Sequence, residues 1–329
     1  MAFIDVRNVT KEFVTYDKTK DSKRKYFFPQ KKIIRAVDNI NLKIDEGESI
    51  AFIGANGAGK STTIKMLSGI ITPTEGVIQV GGICPNQKRK EYVSRMGAVF
   101  GQRSQLWWDL PVSDSFKLLK EIYSVPQKQY DENLKFFTDI LDIETYFYKP
   151  VRQLSLGQRM RCEVAAAFIH NPSIVFLDEP TIGLDVIAKE NIRNFIKIAN
   201  SEKNITVILT SHDLADIETV CNRMIVIDGG RIVYTGSVNE VGDIHGKKRN
   251  IVVELSEEIE INDQRIKILS DEGKKKQLEI ELSDISVRQV VDILTKKAEL
   301  VDMKISGIPI EVVVKDIYLG KFGKNKLSV

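Results

Sequence analysis

The chain has 329 residues, of which 43% are hydrophobic, and its formal net charge of +3 predicts no binding to nucleic acid. Its length favours two domains over one, and its three cysteines show neither metal-ligand spacing nor a disulfide framework, which favours a reduced, cytosolic setting. The N-terminus does not resemble a signal peptide, and no apolar run approaches the roughly 20 residues that span a bilayer, so membrane attachment would require a partner.

Alternating apolar residues near the N-terminus predict strands at Phe3–Asn8 and Ile40–Ile44. The segment Tyr16–Arg35 between them is rich in Lys and Arg and also carries aromatic residues. It is either a solvated insertion loop or a basic, aromatic arm that contacts acidic lipid headgroups or a membrane partner. The sequence leaves both interpretations open.

The segment Gly54–Ser61 fits the phosphate-loop pattern, in which a glycine and four free positions precede Gly-Lys-Ser. It follows an apolar strand at Ser49–Ile53 and precedes a helix at Ser61–Leu67, whose N-terminus would face the phosphates. Glycines let the backbone N–H groups surround an anion, while Lys60 would reach the β- and γ-phosphates and the Ser61 hydroxyl would ligate Mg²⁺. The loop residues assigned to ATP are Gly54, Asn56, Gly57, Gly59, Lys60, Ser61 and Thr62.

After this loop, predicted strands and helices alternate, which indicates an α/β core with a largely parallel sheet and crossover helices. Gln102 to about Pro150 is expected to form a mainly helical subdomain inserted into that core. The predicted strands are Val77–Val80, Met96–Phe100, Ile174–Leu177, Thr206–Leu209, Met224–Ile227 and Arg231–Tyr234. The predicted helices are Val112–Tyr123, Tyr130–Leu141, Met160–Ile169 and Val186–Ala199.

A polar, glycine-containing stretch at Ser237–Arg249 predicts a boundary between a domain of residues 1–240 and one of residues 241–329. The second domain is expected to be small and α+β, and it is either a ligand sensor or, as we favour, a dimerisation or docking module. Its predicted strands are Asn250–Glu254, Gln264–Leu269, Leu278–Leu282 and Leu300–Ser306, and its helix is Ser286–Ala298.

Two adjacent carboxylates, Asp178 and Glu179, end an apolar strand, which is where open α/β sheets place their ligands. Asp178 is expected to bind Mg²⁺, directly or through water. Glu179 is expected to act as a base or to orient the water that attacks the γ-phosphate. The preceding strand and the phosphate loop elsewhere in the chain favour a site over a chance surface pair.

In this order the motifs resemble those of the ATP-binding cassette (ABC) ATPases over roughly residues 1–235. The resemblance implies a P-loop NTPase fold with a RecA-like core and a helical subdomain. One departure is Leu156, where the family usually has glycine. The matching motifs are Gly54–Ser61, Gln102 after a strand, Leu154–Gln158, Ile174–Pro180, Gly183–Asp185 and His212.

The resemblance also implies that two cassettes close head-to-tail over two ATP molecules. Ser155, Gly157 and Gln158 would then face the γ-phosphate held by the opposite subunit. Both halves of this composite site are present, which favours a homodimer and leaves a heterodimer open. The resemblance implies four further roles. Gln102 would sense Mg²⁺ and water and link the site to a membrane partner, and Asp185 would communicate across the dimer. His212 would contact the γ-phosphate as a switch, and either Phe13 or Tyr16 would stack on adenine.

Two segments, Phe100–Pro111 and Leu154–Arg161, resemble the ABC-2 type and its sodium- and drug-efflux branch, and Ile308–Tyr318 is similar to the closing segment of that branch. This implies a peripheral ATP hydrolase on the cytoplasmic face of the cell membrane, which powers export through separate transmembrane permease subunits. The alternative is a soluble ABC ATPase that acts on ribosomes or nucleic acid. Such proteins usually carry two cassettes, long coiled-coil insertions or zinc modules, which this sequence lacks.

The pair Trp107-Trp108 also has two interpretations. Most tryptophan pairs anchor a core. Here the pair follows Gln102, in the region where ABC cassettes receive the coupling helix of the membrane subunit. The resemblance therefore implies that Trp108 contacts the permease.

Overall fold

The computed structural model describes residues 2–17, 30–101, 104–238, 241, 248–307 and 310–318. The described residues form two compact units, one ending at Val238 and the other comprising the residues beyond it. The strands of the first unit are β1 (Ile4–Asp17), β2 (Gln30–Ile44), β3 (Ser49–Ile53), β4 (Glu75–Val80), β5 (Met96–Phe100), β6 (Ile174–Asp178), β7 (Thr206–Thr210), β8 (Arg223–Asp228) and β9 (Arg231–Ser237).

Its helices are α1 (Lys60–Leu67), α2 (Arg89–Val93), α3 (Val112–Ile122), α4 (Gln127–Leu141), α5 (Leu156–Phe168), α6 (Val186–Lys203) and α7 (Leu214–Val220). Two 3₁₀ turns, Glu144–Tyr146 and Val151–Gln153, lie between α4 and α5. The sequence did not predict α2 or α7, which have only five and seven residues. Helices this short carry too little periodicity to distinguish them from loops.

The main sheet has six strands in the order β5-β6-β7-β3-β8-β9, and all neighbours are parallel except β8 and β9. All residues of β3 and β7 are buried. Strands that are buried along their whole length are typical of a parallel sheet that is covered on both faces. The predicted α/β fold is confirmed, and the carboxyl ends of β3, β6 and β7 meet at one edge of this sheet.

A second sheet of three antiparallel strands, β2-β1-β4, corrects the prediction for Tyr16–Arg35. The predicted loop is wrong at both ends, because β1 continues to Asp17 and β2 begins at Gln30. Phe13 lies opposite Ile34, and Val14 lies opposite Ile33. These apolar cross-strand pairs stabilise a two-stranded ribbon. The many lysines in the segment favoured the prediction of a loop instead. The central part of the segment, residues 18–29, lies outside the described residues, and the lipid-contacting arm stays a prediction.

Helices α3 and α4 lie within the segment predicted to be helical, and aromatic packing joins α4 to the core. The ring of Phe195 on α6 meets Phe137 of α4 and Phe168 of α5, with centroid distances of 5.6 and 5.0 Å. Edge-on aromatic contacts of this kind add specific geometry to apolar burial. Helix α5 begins at Leu156, within the segment Leu154–Gln158 that was expected to open the helix, and therefore extends four residues before the predicted range Met160–Ile169.

The described residues of the second unit form an antiparallel sheet in the order β11-β12-β10-β13 and two helices. Its strands are β10 (Lys248–Leu255), β11 (Ile266–Glu272), β12 (Lys275–Glu281) and β13 (Leu300–Ser306), and its helices are α8 (Val287–Thr295) and α9 (Ile310–Tyr318). Val290 and Leu294 of α8 are fully buried with Ile251 and Leu278 of the sheet in one apolar core. Within the described part of the chain, no helix is both long and apolar enough to cross a membrane.

Candidate nucleotide-binding site

The predicted phosphate loop connects β3 to α1 and is held by backbone hydrogen bonds. Ala58 N donates to Ala55 O at 3.0 Å, and Gly230 N, in the turn between β8 and β9, donates to Ala58 O at 2.9 Å. Gly59 has a φ of 111°, and a Cβ atom there would lie 2.6 Å from Ala36 O. Only glycine fits this close approach, which gives the loop the fixed curvature that an anion cradle requires.

A cavity of about 140 Å³ opens at this loop. Six of the seven loop residues assigned to ATP line it, and the seventh, Gly54, lies against β8, where an added Cβ would be 2.5 Å from Ile227 O. The cavity is lined by Ala36, Ala55, Asn56, Gly57, Gly59, Lys60, Ser61 and Thr62.

Lys60, at the start of α1, is buried and only 8% exposed. Its ammonium donates to Gly54 O and, at 3.2 Å, to Ala55 O. Burial lowers the pKa of Lys60, whereas the negative charges of Glu179 and Asp178 act to raise it. The predicted lysine and both predicted carboxylates are therefore close enough to interact electrostatically.

Asp178 and Glu179 are held at the end of β6 by the neighbouring strand β7. Thr210 Oγ1 donates to Asp178 Oδ1 at 2.6 Å, and Glu179 N donates to Thr210 O at 3.1 Å. Glu179 has a φ of 57°, in the left-handed region that non-glycine residues rarely adopt. Strain of this kind persists only where the surrounding structure imposes it, and it often occurs at functional sites. Thr210 was not among the residues predicted for the site, although it ends the strand next to the carboxylates.

The side chain of Glu179 meets His212, which follows β7. His212 Nε2 lies 3.3 Å from Glu179 Oε1, and the backbone N–H of His212 donates to Glu179 Oε2 at 3.3 Å. Burial raises the pKa of Glu179, and the His212 side chain and its backbone N–H act in the opposite direction. A carboxylate that is partly desolvated and held in one orientation suits a general base.

A buried ionic network fixes the segments that carry Glu179 and His212. Asp216 on α7 is 1% exposed and accepts hydrogen bonds from Thr181 Oγ1 and, at 2.5 Å, from Ser211 Oγ. Arg193 on α6 donates to Asp216 Oδ1 at 2.5 Å and to Asp213 Oδ2 at 3.0 Å. Thr181 follows Glu179 by two residues and Ser211 immediately precedes His212, so Asp216 ties the two segments together. No spacing in the sequence marks this network.

A second cluster of predicted residues lies at the N-terminus of α5. Ser155 is the N-cap, and its hydroxyl accepts from Gln158 N at 3.2 Å while Gln158 Oε1 accepts from Ser155 N at 3.1 Å. This reciprocal pair is a capping box, and the Ser-x-x-Gln spacing in the sequence is its signature. The first turn of a capped helix presents backbone N–H groups and the positive end of the helix dipole to an anion.

The N-terminus of α6 supports that first turn of α5. Asp185 caps α6 by accepting from Ala188 N at 2.8 Å. A Cβ atom added to Gly157 would lie 3.3 Å from the Cβ of Ala188 and 3.8 Å from Asp185 Oδ2. The predicted residues Ser155, Gly157, Gln158 and Asp185 therefore form one cluster, built from elements other than those of the phosphate loop.

Apolar side chains are exposed beside this second cluster. Leu156, at the position where the family usually has glycine, is 42% exposed, and its Cδ2 lies 3.2 Å from where a Cβ of Gly183 would be. Ile182, Val186 and Ile187 are also exposed. We call Leu156, Ile182, Val186 and Ile187 the signature patch. A set of large apolar side chains left in water is typical of an interface.

Two further residues were predicted for the site. Gln102 lies outside the described residues. Phe13 lies on β1, is 38% exposed, and has Lys11 Nζ 5.2 Å from its ring centroid.

The oxygen ligands at the first cluster fit Mg²⁺ held together with phosphates. No group of three or more His, Cys, Asp or Glu side chains that could bind a metal occurs among the residues that the structure describes. Mg²⁺ commonly takes only one or two protein oxygens and fills its other positions with phosphate and water. The Ser61 hydroxyl in the cavity lining and the Asp178 carboxylate are oxygens of this type.

Comparison with known proteins identifies the sequence pattern of the ABC transporter family in residues 37–182. The bacitracin transport ATP-binding protein BcrA of Bacillus licheniformis is 33% identical over 66% of this chain and 68% of its own length. The methionine import ATP-binding protein MetN of Halalkalibacterium halodurans is 31% identical over 77% of this chain and 75% of its own. A dimeric post-hydrolysis structure of the ATP-binding cassette MJ0796, bound to ADP and Pi, matches with a TM-score of 0.58 and 27% identity, over 71% of this chain and 98% of that one.

Proposed function

The chain belongs to the ABC transporter family as an ATP-binding subunit that hydrolyses ATP, and we propose that it powers export through separate membrane permease subunits by ATP-driven closure of a dimer. The observation that supports this proposal most is that one chain carries two complementary half-sites. One is the phosphate loop with Lys60, Asp178 and Glu179, and the other is the capped N-terminus of α5 beside the signature patch.

In the first half-site, hydrolysis requires a positioned water and neutralisation of the charge that develops on the phosphates. Mg²⁺ bound by Ser61 and Asp178 would supply part of that neutralisation. Lys60 and the loop amides supply the rest, because their charges and dipoles are already oriented. Glu179 accepts a proton from the attacking water, and His212 holds its carboxylate in place.

The second half-site completes the site of another copy of the chain. Ser155, Gly157 and Gln158 offer hydrogen-bond donors at a helix N-terminus, where the helix dipole favours the γ-phosphate of a partner. Burial of the exposed signature patch in the same contact would favour closure. Because both half-sites occur on one chain, a homodimer with two-fold symmetry is the simplest assembly.

The strand register favours Phe13 over Tyr16 as the residue that stacks on adenine. Ala36 on β2 lines the phosphate-loop cavity. Phe13 lies opposite Ile34, two residues from Ala36, whereas Tyr16 lies opposite Lys31, five residues away. At the rise of a strand these offsets are about 7 and about 17 Å. Phe13 therefore lies nearer to a nucleotide whose phosphates occupy the loop.

The relatives do not decide the direction of transport, because they include proteins named for import as well as for transport of bacitracin. Export is therefore proposed from the ABC-2-like segments Phe100–Pro111 and Ile308–Tyr318. We propose that the subunit lies on the cytoplasmic face of the membrane, attached through a permease, and its membership of the ABC transporter family supports this location. Purification of the full chain from membranes tests this assignment. Co-purification of a multispanning protein is expected, and recovery with ribosomes or nucleic acid instead would support the alternative function.

Trp108→Ala is expected to weaken assembly with the permease by about 30-fold or more, the effect of removing an interface hot spot. Trp107 and Trp108 are 39% and 51% exposed, more than core anchors would be. ATP affinity should change less than about twofold, because Trp108 lies outside both half-sites. Co-purification yield and nucleotide titration measure the two effects. Ile122→Ala, at the far end of α3, is the control, and equal loss of assembly and ATP binding in Trp108→Ala would indicate a plain core role.

A further inference from the structure

Glu163 is a buried carboxylate that none of the site motifs includes. It lies on α5, eight residues after Ser155, and is 4% exposed. Its carboxylate accepts hydrogen bonds from Ser104 Oγ and, at 2.9 Å, from the backbone N–H of Gln105. Eight residues correspond to about 12 Å along a helix, so one rigid helix carries both Glu163 and the Ser155 cap.

The segment that Glu163 holds begins two residues after Gln102 and leads to the tryptophan pair. Gln105 Nε2 donates to Ala98 O of β5 at 2.9 Å, and Leu106 N donates to Ser104 Oγ at 3.1 Å. Residues 104–108 are called the linking segment here. It is anchored both to the sheet and to α5.

Arg159 provides a second contact between α5 and the linking segment. Its guanidinium carbon lies 5.6 Å from the ring centroid of Trp108, a cation–π distance. Arg159 and Glu163 are four residues apart and therefore lie on the same face of α5. Two successive turns of one helix face thus contact the segment that is proposed to meet the permease.

Burying a carboxylate costs desolvation free energy that burying an apolar side chain does not. Burial raises the pKa of Glu163, and the hydrogen bonds from Ser104, Gln105 and Leu106 act in the opposite direction. An apolar side chain of similar volume would stabilise a core at least as well. The carboxylate instead fixes a position, because its oxygens accept hydrogen bonds that hold the linking segment against α5 in one arrangement.

We propose that Glu163 is a positioning residue that couples the linking segment to helix α5, so that movement at the permease contact and movement of Ser155 toward ATP occur together. This inference rests on the proposed function, in which the linking segment meets the permease and α5 completes the partner's ATP site. Glu163 acts through these two elements and does not itself touch the nucleotide.

The chain contains a natural probe of this coupling, because its only two tryptophans, Trp107 and Trp108, lie in the linking segment. In a Glu179→Gln background that retains ATP, addition of ATP and Mg²⁺ should change the tryptophan emission as α5 moves. With Glu163→Ala added, the ATP-dependent emission change should fall at least about fivefold, while ATP affinity and the ATP-induced dimer persist. Glu163→Gln, which keeps one acceptor oxygen, should retain part of the change.

Asn133→Ala is the matched control. Asn133 is 2% exposed and donates to Ile169 O, just beyond the end of α5, without touching the linking segment. The Asn133→Ala variant should be less stable than the unaltered chain and should keep the full ATP-dependent emission change. An undiminished change in Glu163→Ala, or an equal loss in Asn133→Ala, would overturn the coupling role. Light scattering measures dimer formation independently of the emission. A chain that never dimerises would contradict the proposed function itself.

Discussion

Glu179→Gln slows ATP hydrolysis by about 10²- to 10⁴-fold, the range for loss of a positioned general base. The amide is nearly isosteric with the carboxylate but cannot accept the proton of the attacking water. ATP binding should remain within a few-fold, because the loop and Lys60 are unchanged. Since the closed dimer opens only after hydrolysis in the proposed cycle, the variant should accumulate as a dimer in the presence of ATP and Mg²⁺.

Steady-state phosphate release and light scattering measure these two effects of Glu179→Gln. The matched control is Glu202→Gln, an exposed glutamate near the end of α6, which should behave like the unaltered chain. Full activity in Glu179→Gln would show that another residue acts as the base. Loss of ATP binding in this variant would instead assign Glu179 to binding.

Lys60→Ala is expected to weaken ATP binding by 30-fold or more, since truncating one partner of a buried charge pair costs about 2–5 kcal/mol. The β- and γ-phosphates would lose a buried cation whose position the loop carbonyls already fix. Hydrolysis at cellular ATP levels should be lost with it. Folding should be little affected, because burial disfavours the charged form of Lys60 in the free protein.

Nucleotide titration measures the effect of Lys60→Ala, and thermal unfolding checks that the variant folds. Lys65→Ala is the control, because Lys65 is an exposed lysine on the same helix. Unchanged ATP affinity in Lys60→Ala would contradict the assignment of the phosphate loop.

The sequence was sufficient to predict the parts of the fold and site that depend on contiguous residues. β3 and β5 coincide with predicted strands, because an uninterrupted apolar run in a parallel sheet is visible in the sequence. The phosphate loop was predictable for a similar reason, since its chemistry is fixed by spacing within eight residues. The family and the ATP hydrolase activity inferred from the ordered motifs are confirmed.

Contacts between distant segments were not predictable. Asp216, Thr210 and Glu163 position the site through hydrogen bonds to residues about 30 to 60 positions away, and no local pattern marks such bonds. The start of α5 is different, because the capping box of Ser155 and Gln158 is a local pattern that the sequence shows directly. The roles of Gln102 and the second unit stay predictions.

In the proposed cycle two copies of the chain share each ATP site, and mixing two inactive variants tests this sharing. Lys60→Ala removes the phosphate-loop half-site, and Ser155→Arg blocks the half-site at the N-terminus of α5. Each variant alone should be inactive. Mixed in equal amounts, they should recover about a quarter of the unaltered activity, because about half of the pairs are mixed and each mixed pair has one intact site of two. A mixture as inactive as its components would contradict the shared site.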